Sequence, residues 1–242
     1  MIDNLIWFII LSLLAEIVGT VSGFGSSLLF VPIAGFFLDF HSVLGITALF
    51  HLASNLSKIT LFRKGIDKQL IINIGIPSII FVALGAYFSK FLDSTILEIV
   101  LAIFLIVMSL TLFIFKNLVL KPTRFNSIAG GALSGAVAGL LGTGGAIRGL
   151  TLAAFDLEMN SFIATSAIID LGIDLTRSVV YTANGFVHVH DLYLVAILIV
   201  VGFVGTFVGK KILALFSQAQ FKKVLLILIF VIGVITMVKQ LV

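Results

Sequence analysis

The chain has 242 residues, of which 60% are hydrophobic and 11% charged, whereas a soluble domain carries about 25% charged side chains to cover its core. That balance excludes a soluble enzyme, and the net charge of +4 is expected to come from membrane-loop anchors rather than from a nucleic-acid surface. The absence of cysteine removes disulfides, thiolate catalysis and Cys-based metal or iron–sulfur centres, and no cofactor motif takes their place.

In chain order, apolar stretches of span length run over Leu5–Val21, Val43–Phe62, Leu70–Phe88, Ile96–Phe115, Phe162–Tyr181, Leu192–Leu213 and Val224–Val238. Roughly 20 apolar residues cross the ~30 Å hydrocarbon layer as a helix. Unbroken runs such as Ile103–Met108 do not fit the alternating strands of a barrel. The first stretch lacks a basic n-region and a small-residue cleavage site, so it is expected to be a mature segment rather than a signal peptide.

An internal repeat organises these stretches. Gly23-Phe24-Gly25-Ser26-Ser27 aligns with Gly142-Thr143-Gly144-Gly145-Ala146 at an offset of 119. The same offset brings His51 onto Asp170, Asn55 onto Asp174 and Lys58 onto Arg177. The expected organisation is therefore one membrane domain of two repeats, 1–120 and 121–242, with the boundary in Lys116–Asn126. Leu5–Leu38 spans 34 residues, which as one helix would reach about 51 Å, too long for a single crossing. It suits two short helices folded back at Gly23–Ser27, and Leu133–Leu157 behaves alike around Gly142–Gly145. The expectation is an all-α polytopic membrane protein of two inverted repeats, each a Gly-broken helical hairpin plus three transmembrane helices. Charge agrees with it. Arg63, Lys64, Lys68, Lys116, Lys121, Arg124, Lys210, Lys211, Lys222 and Lys223 collect on one side, which is then cytoplasmic, and only Lys90 and Lys239 on the other.

The glycine-rich breaks are the first candidates for chemistry. Each precedes a new helix whose unpaired N–H groups and partial positive charge favour an anion. Glycines there let a ligand approach the backbone. Gly23, Gly25, Ser26, Ser27, Gly142, Thr143, Gly144 and Gly145 are thus expected to line a midplane anion site, while the Gly19/Gly23 and Gly135/Gly139 spacings suit close helix packing. Arg148, just inside the second broken helix, is either an anion ligand or a salt-bridge partner of Asp170 or Asp174. Asp170, Asp174 and Arg177 share one helix face, and His51, Asn55 and Lys58 form the equivalent stripe. His51 and Asn55 are expected to contact substrate. The two aspartates, Arg177 and Lys58 are candidates for proton coupling or gating, the two cations having snorkelling to the interface as the alternative. Glu16 has no partner assignable from sequence. His188-Val189-His190-Asp191 reads as an interfacial loop, the His-x-His pair lacking a further metal ligand. No nucleophile–base set appears, so the chain is not expected to be an enzyme.

These motifs, with Val31-Pro32 after the first break and Arg63-Lys64-Gly65-Ile66-Asp67 and Thr182-Ala183-Asn184-Gly185 at helix ends, resemble the sulfite exporter TauE/SafE family of membrane permeases along nearly the whole chain. The resemblance implies a cell-membrane transporter, expected in a prokaryotic inner membrane, for sulfite, thiosulfate, sulfonates and related organic anions. It departs from the family in having Ser26-Ser27 where more glycine is common. Within the chain itself, Arg148 stands where the first repeat has Leu29. The partners expected are a small anion, the lipid bilayer, protons as a coupling ion and a further copy of the chain in a homo-oligomer. A non-transporting membrane scaffold is the competing reading, against which two mid-membrane backbone breaks speak.

Overall fold

A computed structural model describes residues 4–62, 65–115, 120–213 and 218–241, without the side chains of 218–222. Arg63, Lys64, Lys116 and the Lys222 side chain lie outside the described residues. Ten helices and no strand occur among them. They are α1 (Leu5–Ser22), α2 (Ser27–Ala34), α3 (Phe40–Leu61), α4 (Lys68–Ser89), α5 (Ser94–Ile114), α6 (Arg124–Leu141), α7 (Gly145–Ala153), α8 (Met159–Ala183), α9 (Leu192–Leu213) and α10 (Gln218–Leu241). The order of one long helix, one short helix and three long helices therefore occurs twice.

Local chemistry explains the boundaries. Asp39 accepts from the N–H groups of His41 and Ser42 at 3.0 and 3.3 Å and starts α3. Thr123 accepts from Asn126 N–H at 3.2 Å and starts α6, satisfying donors that have no partner in the first turn. Both α1 and α6 end on a left-handed glycine, Gly23 at φ 76° and Gly142 at φ 77°, a conformation that a Cβ makes costly. In α4 a wide turn over Ile71–Gly75 precedes Pro77, whose ring has no N–H to continue an ordinary ladder.

Polarity runs opposite to that of a soluble protein. Ile72, Phe88, Phe113, Val200, Phe207 and Val231 are exposed, whereas Glu16, His51, Lys58, Arg148, Asp174 and Arg177 are buried. Five helices are long and apolar enough to cross a membrane by themselves: α1, α4, α5, the Val189–Leu213 segment containing α9, and Lys223–Leu241 within α10. Helices α3 and α8, with 22 and 25 residues, carry the polar stripes and pack against each other.

The helix neighbours follow a reciprocal pattern. Helix α1 packs on α9, and its counterpart α6 packs on α4. Helices α3 and α8 pair, as do α5 and α10. Exchanging the two halves leaves this pattern unchanged. The tightest approach is α4 against α6, where a Cβ on Gly131, Gly135 or Gly139 would lie 2.3, 2.2 or 2.3 Å from the carbonyl oxygens of Ile74, Ser78 and Val82. Matching four-residue steps on both helices let the backbones touch, the small-xxx-small solution to packing without a hydrophobic driving force. Gly139→Ala is therefore expected to lower the melting temperature of the purified protein despite alanine's better helix propensity, because the obstructing atoms are backbone. Gly75→Ala, whose new Cβ would meet only side-chain atoms at 3.7 and 3.9 Å, should be neutral or raise it, by up to about 1 kcal/mol. Thermal unfolding in detergent compares the two.

Candidate functional site

The two breaks meet in the middle of the bundle. Thr143 Oγ1 donates to Ser27 Oγ at 3.2 Å, and a Cβ on Gly145 would strike the carbonyl oxygen of Phe24. Neither α2, starting after Ser26, nor α7, starting after Gly144, has a side-chain cap on its first N–H groups. Beside them lies a narrow cleft with about 340 Å³ of space between atoms, of which about 20 Å³ is wide enough to admit water, lined by the two breaks and by the facing stripes of α3 and α8. All the residues expected from sequence line it except Gly23, Thr143 and Gly145; Ala138 and Ile173 join them. Gly23 instead borders a smaller adjoining cavity with Gly19, Thr20 and Ser166, and both cavities share Gly25, Lys58 and Asp170.

The matched glycines differ in what they make room for. Gly25, at φ 89°, has only Arg148 NH2 at 3.5 Å and Ser27 Oγ at 4.0 Å near the position of a Cβ, so that space belongs to the cavity. A Cβ on Gly144 would meet Ser134 O at 2.1 Å, and one on Gly142 would meet Leu44 Cδ2 at 2.7 Å. These two positions serve packing, although their backbones border the cavity.

Three buried cations are each paired with a carboxylate. Arg148 NH1 contacts Asp170 Oδ1, Arg177 Nε donates to Asp174 Oδ1 at 2.7 Å, and Lys58 Nζ lies 2.8 Å from Glu16 Oε1. Lys58 and Arg177 do not snorkel; their side chains are 8% and 3% exposed. Arg148 pairs with Asp170 rather than Asp174, and its Nε donates to Ser166 at 2.9 Å. Asp174 also accepts from Asn55 Nδ2 at 2.6 Å, joining two residues at equivalent repeat positions. Arg177 NH1 donates to the Gly142 carbonyl at 2.6 Å, one of the oxygens left unpaired where α6 ends.

Glu16 is the residue that sequence reasoning left unassigned, and it proves to be a hub. It is fully buried and accepts from Ser26 at 2.5 Å, Ser54 at 2.6 Å, Thr206 at 2.9 Å and Thr20 at 3.2 Å, besides pairing with Lys58. A Cβ on Gly205 would sit 2.7 Å from Glu16 Cγ, so that glycine admits the side chain. A signal was present: Lys58, Arg148 and Arg177 outnumber Asp170 and Asp174 by one, and Glu16 is the acid that balances them. Donor directions along the resulting chain follow from arginine, which only donates. Arg177 NH2 donates to His51 Nδ1 at 3.1 Å, His51 Nε2–H donates to Ser26 Oγ at 2.9 Å, and Ser26 passes its own proton to the Glu16 bond. One unbroken chain thus links the three helices that carry the stripes and the first break.

Apolar outer faces around a central polar cavity define a multi-pass helical protein of the cell membrane. The sequence model of the family described as Sulfite exporter TauE/SafE matches residues 8–236, and the chain belongs to that family. No curated protein matches it. It is accordingly a membrane permease for small anions and not an enzyme.

Glu16→Ala would leave Lys58 buried without its carboxylate, and breaking one side of a buried pair costs about 3–5 kcal/mol. A sharp fall in melting temperature and folded yield is expected. Lys58→Met in the same chain should recover much of that loss; a double-mutant cycle of thermal unfolding measures the recovery.

Proposed function

We propose that the chain is a secondary transporter of small sulfur-containing or organic anions, sulfite, thiosulfate or sulfonate-like, which bind near the bilayer midplane between the two glycine-rich breaks. Arg148 carries this reading. Its NH2 faces the space between Gly25 and Gly145, 3.5 Å from the Cβ position of each, beside two helix starts without side-chain caps. An oxyanion there meets a planar guanidinium fork and two partial positive helix ends.

Proton coupling follows from charge balance. The six paired groups are neutral before substrate arrives, so an anion adds charge that a low-dielectric site holds only at a cost of several kcal/mol. A proton on Asp170 cancels that excess and releases Arg148 in the same event. Asp170 suits the role better than the other two acids. Its side chain is 18% exposed and Arg148 is its ion-pair partner, whereas Asp174 is held by both Arg177 and Asn55, and Glu16 by its hydroxyls and Lys58. It also borders both adjoining cavities, the position of a group that moves between them.

In this reading residues 1–120 and 121–242 are inverted repeats. Phe8 of α1 packs 5.5 Å from Phe37, just past α2, and Gly130 of α6 abuts Thr151 of α7. The first hairpin therefore opens toward the end of the bundle where Gly45 meets Phe186, and the second toward the end where Gly65 meets Ser161. Lys210 bonds the Leu61 carbonyl at that second end at 2.5 Å, while Lys239 bonds the Gly35 carbonyl at the first at 2.7 Å. Basic residues concentrate at the second end, which is cytoplasmic by the positive-inside rule. Since the native chain has no cysteine, single Cys variants test this cleanly. Thr123→Cys should label only from the cytoplasm and Asp93→Cys only from outside, and the reverse pattern would sink the topology.

Transport is measured in proteoliposomes with labelled sulfite, thiosulfate and a sulfonate, with and without a pH gradient. Uptake of at least one anion is expected, faster when the substrate side is acidic, because protonation releases Arg148. Asp170→Asn should abolish that pH dependence. Gly25→Ala should weaken affinity tenfold or more, its methyl filling the space next to Arg148. Absence of uptake for all three anions overturns the substrate class, and a wild-type pH profile in Asp170→Asn overturns the coupling.

A further inference from the structure

The short segment 188–191, between α8 and α9, gathers three metal-ligating side chains away from the central cavity. The rings of His188 and His190 stack with centroids 5.2 Å apart and 27° between planes. The Asp191 carboxylate directs Oδ2 to His188 Nδ1 at 3.6 Å and Oδ1 to His190 Nε2 at 3.4 Å. One donor atom from each residue lies within 4.8 Å of the other two. From these contacts we infer a binding site for a divalent transition-metal ion of the zinc class, with His188, His190 and Asp191 as its protein ligands.

Three observations support the assignment. The Asp191 side chain is 9% exposed, and among the described residues its ion-pair partners are the two imidazoles, with no lysine or arginine. Second, the spacing fits. Tetrahedral zinc with bonds of about 2.0–2.1 Å holds its ligand atoms roughly 3.4 Å apart; the two His–Asp separations, 3.6 Å to Oδ2 and 3.4 Å to Oδ1, lie near that value, and one donor atom from each residue lies within 4.8 Å of the others. Only the two imidazoles must close, and both are accessible, with side chains 44% and 77% exposed, so rotation brings them in while the ion enters from solvent. Third, His188 is held from a second element. Ser42 Oγ, in the first turn of α3, lies 3.2 Å from His188 Nδ1. When the ion takes that nitrogen's lone pair, Ser42 is left beside the coordination position that water completes. Two imidazoles and a carboxylate favour zinc, nickel or copper over magnesium or calcium. A bound ion would fasten the turn before α9 beside the first turn of α3. The sequence placed Asp191 next to the His-x-His pair; the fold turns its carboxylate toward both imidazoles.

The test is calorimetric titration of the purified full chain, in detergent and with its affinity tag removed, using zinc chloride and, separately, magnesium chloride. One zinc per chain is expected, with no magnesium binding and a higher melting temperature when zinc is present. His190→Ala changes a largely exposed side chain and should fold normally; it should weaken zinc binding at least tenfold, as should His188→Ala. Asp191→Asn is informative only as an addition, since it also alters the start of α9. The site is overturned if the wild-type chain binds no zinc, if it binds magnesium equally well, or if zinc binding persists unchanged in the two histidine variants. None of these outcomes depends on anion transport.

Discussion

Lys58, Arg148 and Arg177 lie buried in the interior of a bundle whose outer faces are apolar. On insertion scales a central arginine costs about 2.5–3.5 kcal/mol, and the chain contains that cost by giving each cation one carboxylate. Much else follows from this requirement. Helices α3 and α8 must face each other so that Asn55 can reach Asp174, α1 must bring Glu16 to Lys58, and α7 must bring Arg148 to Asp170. Charge matching therefore selects which helices are neighbours at the centre, while small residues decide how closely the outer pairs approach.

The two halves reach neutrality by different routes. Arg177 finds its acid three residues away on its own helix, whereas the equivalent Lys58 has neutral Asn55 at that place and draws on Glu16 from α1. Position 29 is leucine in the first half and its counterpart is Arg148 in the second, so the guanidinium that lies 3.5 Å from the Cβ positions of both Gly25 and Gly145 has no symmetry mate. A pseudo-symmetric scaffold thus encloses an asymmetric site. In the proposed binding mode that asymmetry gives a substrate anion one preferred partner, and Asp170 is the acid with the fewest competing ties.

The glycines of the breaks divide in the same way. Gly23 and Gly142 terminate their helices in nearly identical left-handed conformations. Yet Gly25 and Gly144, aligned in sequence, face different surroundings: open space beside Arg148 for one and the Ser134 carbonyl for the other. Equivalent motifs can therefore share a backbone role and differ in whether they leave room for a ligand.

From sequence alone came the membrane class, most of the helices to within a few residues, the breaks at Gly23–Ser27 and Gly142–Gly145, and most residues lining the cavity; α6 and α10 begin earlier, at Arg124 and Gln218, than the apolar runs from Leu133 and Val224, because their first turns are polar. Those features depend on local quantities: apolar run length, left-handed glycines, and a polar stripe at helical spacing. The partners of the charged groups depend on which helices touch, and spacing along the chain does not encode that. Arg148 had two candidate acids in sequence, and only the packing of α7 against α8 selected Asp170. Glu16 looked solitary because its hydroxyl donors come from residues 20, 26, 54 and 206. Three of those four are remote in the chain and converge only when α1, α3 and α9 pack, so tertiary structure alone turned an isolated acid into the centre of the buried network.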